Sequence, residues 1–180
     1  MQMKRLFALA GAFGLLASPA MAALPVGAKA PALVTKGALA GKDFTFDLKA
    51  ALAKGPVVLY FYPKAFTQGC TLEAHAFAEA MPEFRAAGAS VIGLSADDLP
   101  ALRRFSTEAC RNAFPVAVAS APTIKAYDVA LNRDGVNTGL TERTSYVIGK
   151  DGRIVMVHSD MDWREHVKLT LAAVKALKSK

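Results

Sequence analysis

The sequence predicts an α/β domain built on one central mixed β-sheet with helices on both faces. Three observations predict it. Residues 56–62, Pro-Val-Val-Leu-Tyr-Phe-Tyr, form a near-continuous β-branched and aromatic run, as a strand buried on both faces requires. A second such run, residues 89–94, follows a helical stretch in which Phe77, Met81 and Phe84 recur at helical spacing, so a helix joins consecutive buried strands. Two later runs, 143–148 and 153–158, flank Lys150-Asp151-Gly152, a hairpin signal that adds antiparallel strands to the sheet.

In chain order, the first segment reads as a leader. Lys4 and Arg5 precede the apolar residues 6–16, and Ser18-Pro19-Ala20-Met21-Ala22 supplies a small-x-small ending, the pattern of a secretory signal peptide. Residues 1–22 are therefore expected to be cleaved off, leaving 23–180 as the domain in the periplasm or outside the cell. A membrane anchor is the alternative, but the stretch reaches the lower end of the roughly 17 to 25 residues of a span only if Ser18 and Pro19 are included.

Residues 24–32, with Pro25, Gly27 and Pro31, read as an irregular lead-in. Phe44, Phe46 and Leu48 alternate with Thr45 and Asp47 as in a half-buried strand, and residues 49–54 read as a helical turn closed by Gly55-Pro56. Pro63 stops the buried strand, and the helix that begins near Cys70 ends at Gly88. Residues 95–98 offer N-caps for a helix over 99–111, with Pro100 in its permissive first turn. A third strand at 114–118, a short helix at 123–129 and a loop at 132–141 follow, the last carrying Asp134-Gly135, Asn137 and Gly139. A final helix over 163–177 places Trp163, Val167, Leu171, Val174 and Leu177 on one face, where Trp163 is expected to anchor the core.

Composition narrows the function classes. The 180 residues are 53% hydrophobic, which suits one domain with a substantial core. The formal charge of +7 is spread along the chain without a basic helix or interleaved aromatics, so it reads as a solvated surface and not as a nucleic-acid site. His158 and His166 lack a matching Cys or carboxylate spacing and no Gly-rich phosphate cradle occurs, so no metal, haem or nucleotide cofactor is expected.

The chemistry is expected at Cys70. A thiol between a buried strand and a helix sits at the helix N-terminus, where unpaired N–H groups and the positive end of the dipole favour its anion. Thr67, three residues earlier, adds a hydroxyl, with a turn or cap as its plain alternative. Glu73 reads as an acid in the first helical turn. In an oxidising compartment the two cysteines, Cys70 and Cys110, would ordinarily be read as one structural disulfide, but the placement of Cys70 argues for a reactive thiol.

Pro63, Thr67 and Cys70 match the Pro-x-x-x-Thr-x-x-Cys motif of peroxiredoxins, and residues 57–73 resemble the bacterioferritin comigratory (Q-type) branch. The resemblance runs from about Val26 to the C-terminal helix. It implies a thioredoxin-like fold and a monomeric thiol peroxidase acting on hydrogen peroxide or organic hydroperoxides, with no nucleic-acid partner and no membrane attachment after leader cleavage. It makes Cys70 the peroxidatic nucleophile, Thr67 a hydrogen-bonding group for peroxide and Pro63 a shield. It supplies Arg143 as the cation and links Glu73 to that arginine. Many Q-type relatives carry the resolving cysteine one helical turn and a residue after the first, where this chain has His75. Others carry it on the next helix, which implies Cys110. A thioredoxin-like protein or a small thiol would be the reductant. Two alternatives stay open: a thiol-disulfide oxidoreductase, weakened because the second Cys-x-x-Cys position is Glu73, and a non-catalytic binding protein with a static Cys70–Cys110 bridge.

Overall fold

The computed structural model describes residues 23–178. Nine strands occur in chain order among them: β1 (Val34–Leu39), β2 (Lys42–Asp47), β3 (Val57–Phe61), β4 (Ser90–Ser95), β5 (Val116–Val118), β6 (Ala130–Arg133), β7 (Val136–Thr141), β8 (Thr144–Ile148) and β9 (Ile154–Ser159). Five α-helices alternate with them: α1 (Leu48–Leu52), α2 (Gln68–Ala86), α3 (Leu99–Glu108), α4 (Ala121–Ala126) and α5 (His166–Lys178), the last entered through a 3-10 turn, Trp163–Glu165. The main sheet runs β2-β1-β5-β4-β3-β8-β9. β3, β4 and β5 are parallel, and β8, β9, β1 and β2 join antiparallel, giving the expected mixed sheet.

β3 is the axis of the domain. Every residue of it is buried, and the period-two alternation sends Val58 and Tyr60 to one face and Val57, Leu59 and Phe61 to the other. The first face packs on Phe77 and Phe84 of α2, Leu102 and Phe105 of α3 and Val174 of α5; the second packs on Leu48 and Leu52 of α1 and Ile124 of α4. Helices thus cover both faces. Tyr60 stacks on Phe77 with ring centroids 4.3 Å apart, and Tyr62 stacks on Phe105 at 5.3 Å.

The helix termini follow their local chemistry. Asp98 caps α3 by accepting from the Ala101 amide at 2.9 Å, and Gly88, at φ +76°, closes α2 by letting the Ala89 amide reach the Phe84 carbonyl.

One element is unexpected, and three expectations need correction here. Residues 34–39 form β1, an element that the sequence pattern does not announce. Residues 132–141 are not a loop but most of the β6–β7 hairpin, with left-handed Asp134 and Gly135 at its turn. α3 stops at Glu108, because Arg111 and Asn112 both adopt positive φ and cannot continue a right-handed helix. Glu73 lies in the second turn of α2, since the helix starts at Gln68, and is fully buried there instead of serving as a helix-start acid. The leader expected over residues 1–22 lies outside the described residues.

Gly93 of β4 faces the ring of Tyr60, and a Cβ there would come within 2.8 Å of it. Gly93→Ala should therefore cost about 1 to 3 kcal/mol by overpacking, read as a lower midpoint in urea unfolding; an unchanged midpoint would contradict this packing.

Candidate active site

The loop after β3 is clamped before α2 begins. The Ala65 amide donates to Asp97 Oδ2 at 2.7 Å, Ser95 Oγ donates to the same oxygen at 2.8 Å, and Thr141 Oγ1 donates to the Tyr62 carbonyl at 2.8 Å. Phe66, left-handed at φ +65°, turns the chain toward the helix and rests its ring edge-on against Phe105.

Thr67 is the N-cap residue of α2, yet its hydroxyl makes no capping bond and donates to the Lys64 carbonyl at 3.0 Å. The first intrahelical bond runs from the Thr71 amide to the Thr67 carbonyl. The amides of Gln68, Gly69 and Cys70 therefore lack intrahelical acceptors, at the helix end that carries the thiol. Cys70 is 1% exposed, Pro63 is half-buried beside the loop, and Thr67 is exposed at its mouth.

Arg143, immediately before β8, closes the site. β8 pairs antiparallel with β3, Thr144 opposite Phe61, so the arginine arrives where β3 hands over to the cysteine loop. Its Nη2 lies 3.5 Å from Cys70 Sγ. Its Nη1 donates to Glu73 Oε2, and its Nε donates to the Met161 carbonyl at 3.0 Å. The Asp160 amide donates to the Arg143 carbonyl at 3.1 Å, which ties the segment after β9 to the same residue. Gly69 permits this approach: a Cβ there would lie 3.3 Å from Nη2 and 3.7 Å from Trp163 Cδ1. Trp163 is thus half-buried over the site and not the deep core anchor expected.

Glu73 is fully buried: burial pushes its carboxyl upward, while the adjacent Arg143 guanidinium pulls the other way and favours the ionised form. Behind it lies His166, also fully buried, whose Nδ1 is 3.9 Å from Glu73 Oε1 and shares a 2.8 Å hydrogen bond with Ser145 Oγ. Burial holds the imidazole down to about 4, so it is neutral near pH 7. Sequence reading missed Ser145, His166 and Gly69 as parts of the site. Ser145, on the strand that Arg143 leads into and two residues after it, was the one with a local signal.

Cys110 sits just beyond α3, fully buried in the same apolar cluster as Cys70, and burial raises its thiol. Both thiols are free, so the static bridge is not formed. His75 is half-buried on α2. A small cavity of about 170 Å³ beside Arg143 is lined by Glu142, Ser159, Asp160 and Met161. The larger groove, about 680 Å³, lies at the other end of β3, near Gly152 and Leu52, away from the sulfur.

The pH dependence of stability carries a sign. His166 has a folded value near 4 against an ordinary 6.5, so its contribution is complete above pH 6.5 and is lost as pH falls through 4. Urea unfolding at pH 7 and pH 4 should show the stability difference between wild type and His166→Gln shifting against wild type by about 2 to 3 kcal/mol at the lower pH. A difference independent of pH would contradict a buried neutral imidazole.

The comparisons with known proteins agree with this geometry. The AhpC/TSA family matches residues 26–157. Peroxiredoxin Bcp of Xanthomonas campestris is 32% identical over 146 residues, covering 73% of this chain and 91% of that protein. A structure of the Xanthomonas bacterioferritin comigratory protein, described for its alkyl peroxide reduction activity, superposes with a TM-score of 0.69 at 31% identity, over 79% of this chain and 91% of that one. Peroxiredoxin Bcp of Bacillus subtilis is 30% identical over 160 residues, 87% of this chain and 99% of that protein. The crystal structure of peroxidoxin BcpB from Mycobacterium tuberculosis matches with a TM-score of 0.74 at 28% identity, over 84% of this chain and 97% of that one. A helix-start cysteine under a guanidinium, in a chain with these relatives, has one family reading: the protein belongs to the AhpC/TSA family and is a peroxiredoxin similar to the bacterioferritin comigratory, Q-type proteins.

Proposed function

We propose that this peroxiredoxin reduces hydrogen peroxide and organic hydroperoxides through a sulfenic acid on Cys70. The observation that carries the reading is Arg143 Nη2 at 3.5 Å from Cys70 Sγ, with the rest of the guanidinium held by Glu73 and Met161. The Cys70 thiolate attacks the terminal oxygen of the peroxide; the S–O bond forms as the O–O bond breaks. The sulfur is oxidised by two electrons, and the departing oxygen leaves with the bonding pair and takes a proton to become an alcohol, or water from hydrogen peroxide. Negative charge thereby moves from sulfur to the departing oxygen. Arg143 Nη2, whose two N–H groups can serve the sulfur and the departing oxygen in turn, and the free amides of the first turn of α2 stabilise that charge throughout. Thr67, already donating to the Lys64 carbonyl, offers its oxygen as acceptor for the peroxide O–H, which turns the peroxide's electrophilic oxygen toward sulfur. Pro63 shields the thiolate from bulk water.

Cys110 resolves the sulfenic acid in this reading: its thiol attacks Cys70–SOH, the disulfide forms and water leaves. Bridging two buried thiols on different elements requires Cα atoms within about 7 Å and so a local opening of one end. The consecutive left-handed residues Arg111 and Asn112 place backbone strain just after α3, which favours opening at that end. An external dithiol or two small thiols then return two electrons and two protons. If the leader over residues 1–22 is read as an export signal, the mature chain begins at Ala23 and works outside the cytoplasm as a monomer, with a thioredoxin-like donor or small thiol in that compartment.

The test is one equivalent of hydrogen peroxide added to the reduced protein under anaerobic conditions, followed by mass mapping of both cysteines. A Cys70–Cys110 disulfide is expected, with Cys110→Ser instead accumulating a dimedone-reactive Cys70. Persistent Cys70 sulfenate beside an alkylatable Cys110 in the wild-type protein would remove the resolving role, and an unoxidised Cys70 would remove the peroxidase reading. The mass of the exported protein should begin at Ala23; an intact Met1 end would contradict cleavage.

A further inference from the structure

Two backbone and side-chain anchors hold Arg143, and both lead to the same imidazole. His166 Nε2 is 2.9 Å from the Asp160 carbonyl. A carbonyl only accepts, so Nε2 carries the proton and donates, which fixes the neutral tautomer. Asp160 is also the residue whose amide donates to the Arg143 carbonyl, and the next carbonyl, of Met161, accepts from Arg143 Nε. The other ring nitrogen, Nδ1, is then an acceptor and receives the Ser145 hydroxyl at 2.8 Å. On that side lies Glu73 Oε1, 3.9 Å away, the carboxylate oxygen not used by Arg143 and without a hydrogen-bond partner among the described residues. That distance exceeds a hydrogen bond; the ring edge acts as a wall that limits rotation of the carboxylate.

The imidazole is held by more than packing. It is fully buried at the start of α5, packs edge-on against His158 with ring centroids 4.5 Å apart, and has both nitrogens committed. An apolar side chain in that space would leave the Ser145 hydroxyl and the Asp160 carbonyl without this partner.

We propose that His166 is a positioning residue for peroxide reduction, fixing at once the Asp160–Met161 turn and the Glu73 side of Arg143, so that Nη2 stays directed at the Cys70 sulfur. It touches neither sulfur nor peroxide and acts only through the guanidinium. The inference rests on the peroxidase reading given above.

The experiment compares two reactions of Cys70 in each folded protein: oxidation by hydrogen peroxide, and alkylation by iodoacetamide. Alkylation reads the thiolate alone, whereas oxidation also needs the guanidinium aimed at the departing oxygen. His166→Gln keeps a donor near the Asp160 carbonyl and His166→Asn keeps an acceptor near Ser145, so each removes one arm. Each should slow oxidation about 10-fold or more while changing alkylation far less. Ser145→Ala, which leaves the imidazole in place, should show the same selective loss to a smaller degree and answers the question should both His166 variants fail to fold. Equal, unselective changes in the two rates, or no change, would overturn the positioning role. A wild-type Cys70 that reacts with peroxide no faster than free cysteine would overturn the peroxidase reading itself, a result visible before any variant is made.

Discussion

The buried ion pair between Glu73 and Arg143 is the constraint on which the rest of the site depends. Taking two charges out of water is unfavourable, and such pairs do not in general add net stability over a well-packed apolar alternative. Here the pair does something an apolar contact cannot: it fixes the direction of a guanidinium whose other nitrogen reaches Cys70. Removing Glu73 would leave the guanidinium with only the Met161 carbonyl and the Cys70 sulfur, a loss of about 3 to 5 kcal/mol, so Glu73 sets the orientation in which Arg143 can stay buried.

The fold brings together residues 70 apart in sequence to make this ion pair. β3 and β8 are antiparallel neighbours, so the end of one lies beside the beginning of the other. The cysteine loop leaves the sheet at that end, and α2 returns over it with its free amides first. Glu73, on the buried side of α2, and Arg143, at the mouth of β8, then meet under the layer formed by α5 and the 3-10 turn. The sulfur is held by geometry that the whole sheet registers, and the polar contacts behind it, Ser145 and His166, are packed into the same layer.

What the sequence made legible was local. The strand-to-helix junction at Cys70 could be read because a buried apolar run, a proline stop and a helical period are all encoded within a few residues, and the same is true of Asp98 and Gly88 at helix ends. β1 was not legible because Gly37 breaks its pattern, yet the glycine is there because a Cβ would lie 2.5 Å from the Val116 carbonyl of the neighbouring strand. The β6–β7 hairpin carried a recognised turn signal in Asp134-Gly135, but its flanks are polar and mostly exposed, so burial did not mark them as strands. The end of α3 has neither glycine nor proline to announce it. Arg143 entered through family resemblance, since nothing in its own neighbourhood distinguishes it from a surface arginine. His166 had no signal at all: its partners come from β8, α2 and the segment after β9, a juxtaposition that only the tertiary structure makes.

The central claim is that a directed guanidinium, and not positive charge alone, makes Cys70 react with peroxide. Stopped-flow measurement of Cys70 oxidation in Arg143→Lys tests it most directly, because lysine keeps the charge and loses the planar fork. The account predicts a fall in the second-order rate with hydrogen peroxide of about 100-fold or more in a protein that remains folded. A lysine variant that is folded and oxidised at the wild-type rate would contradict it.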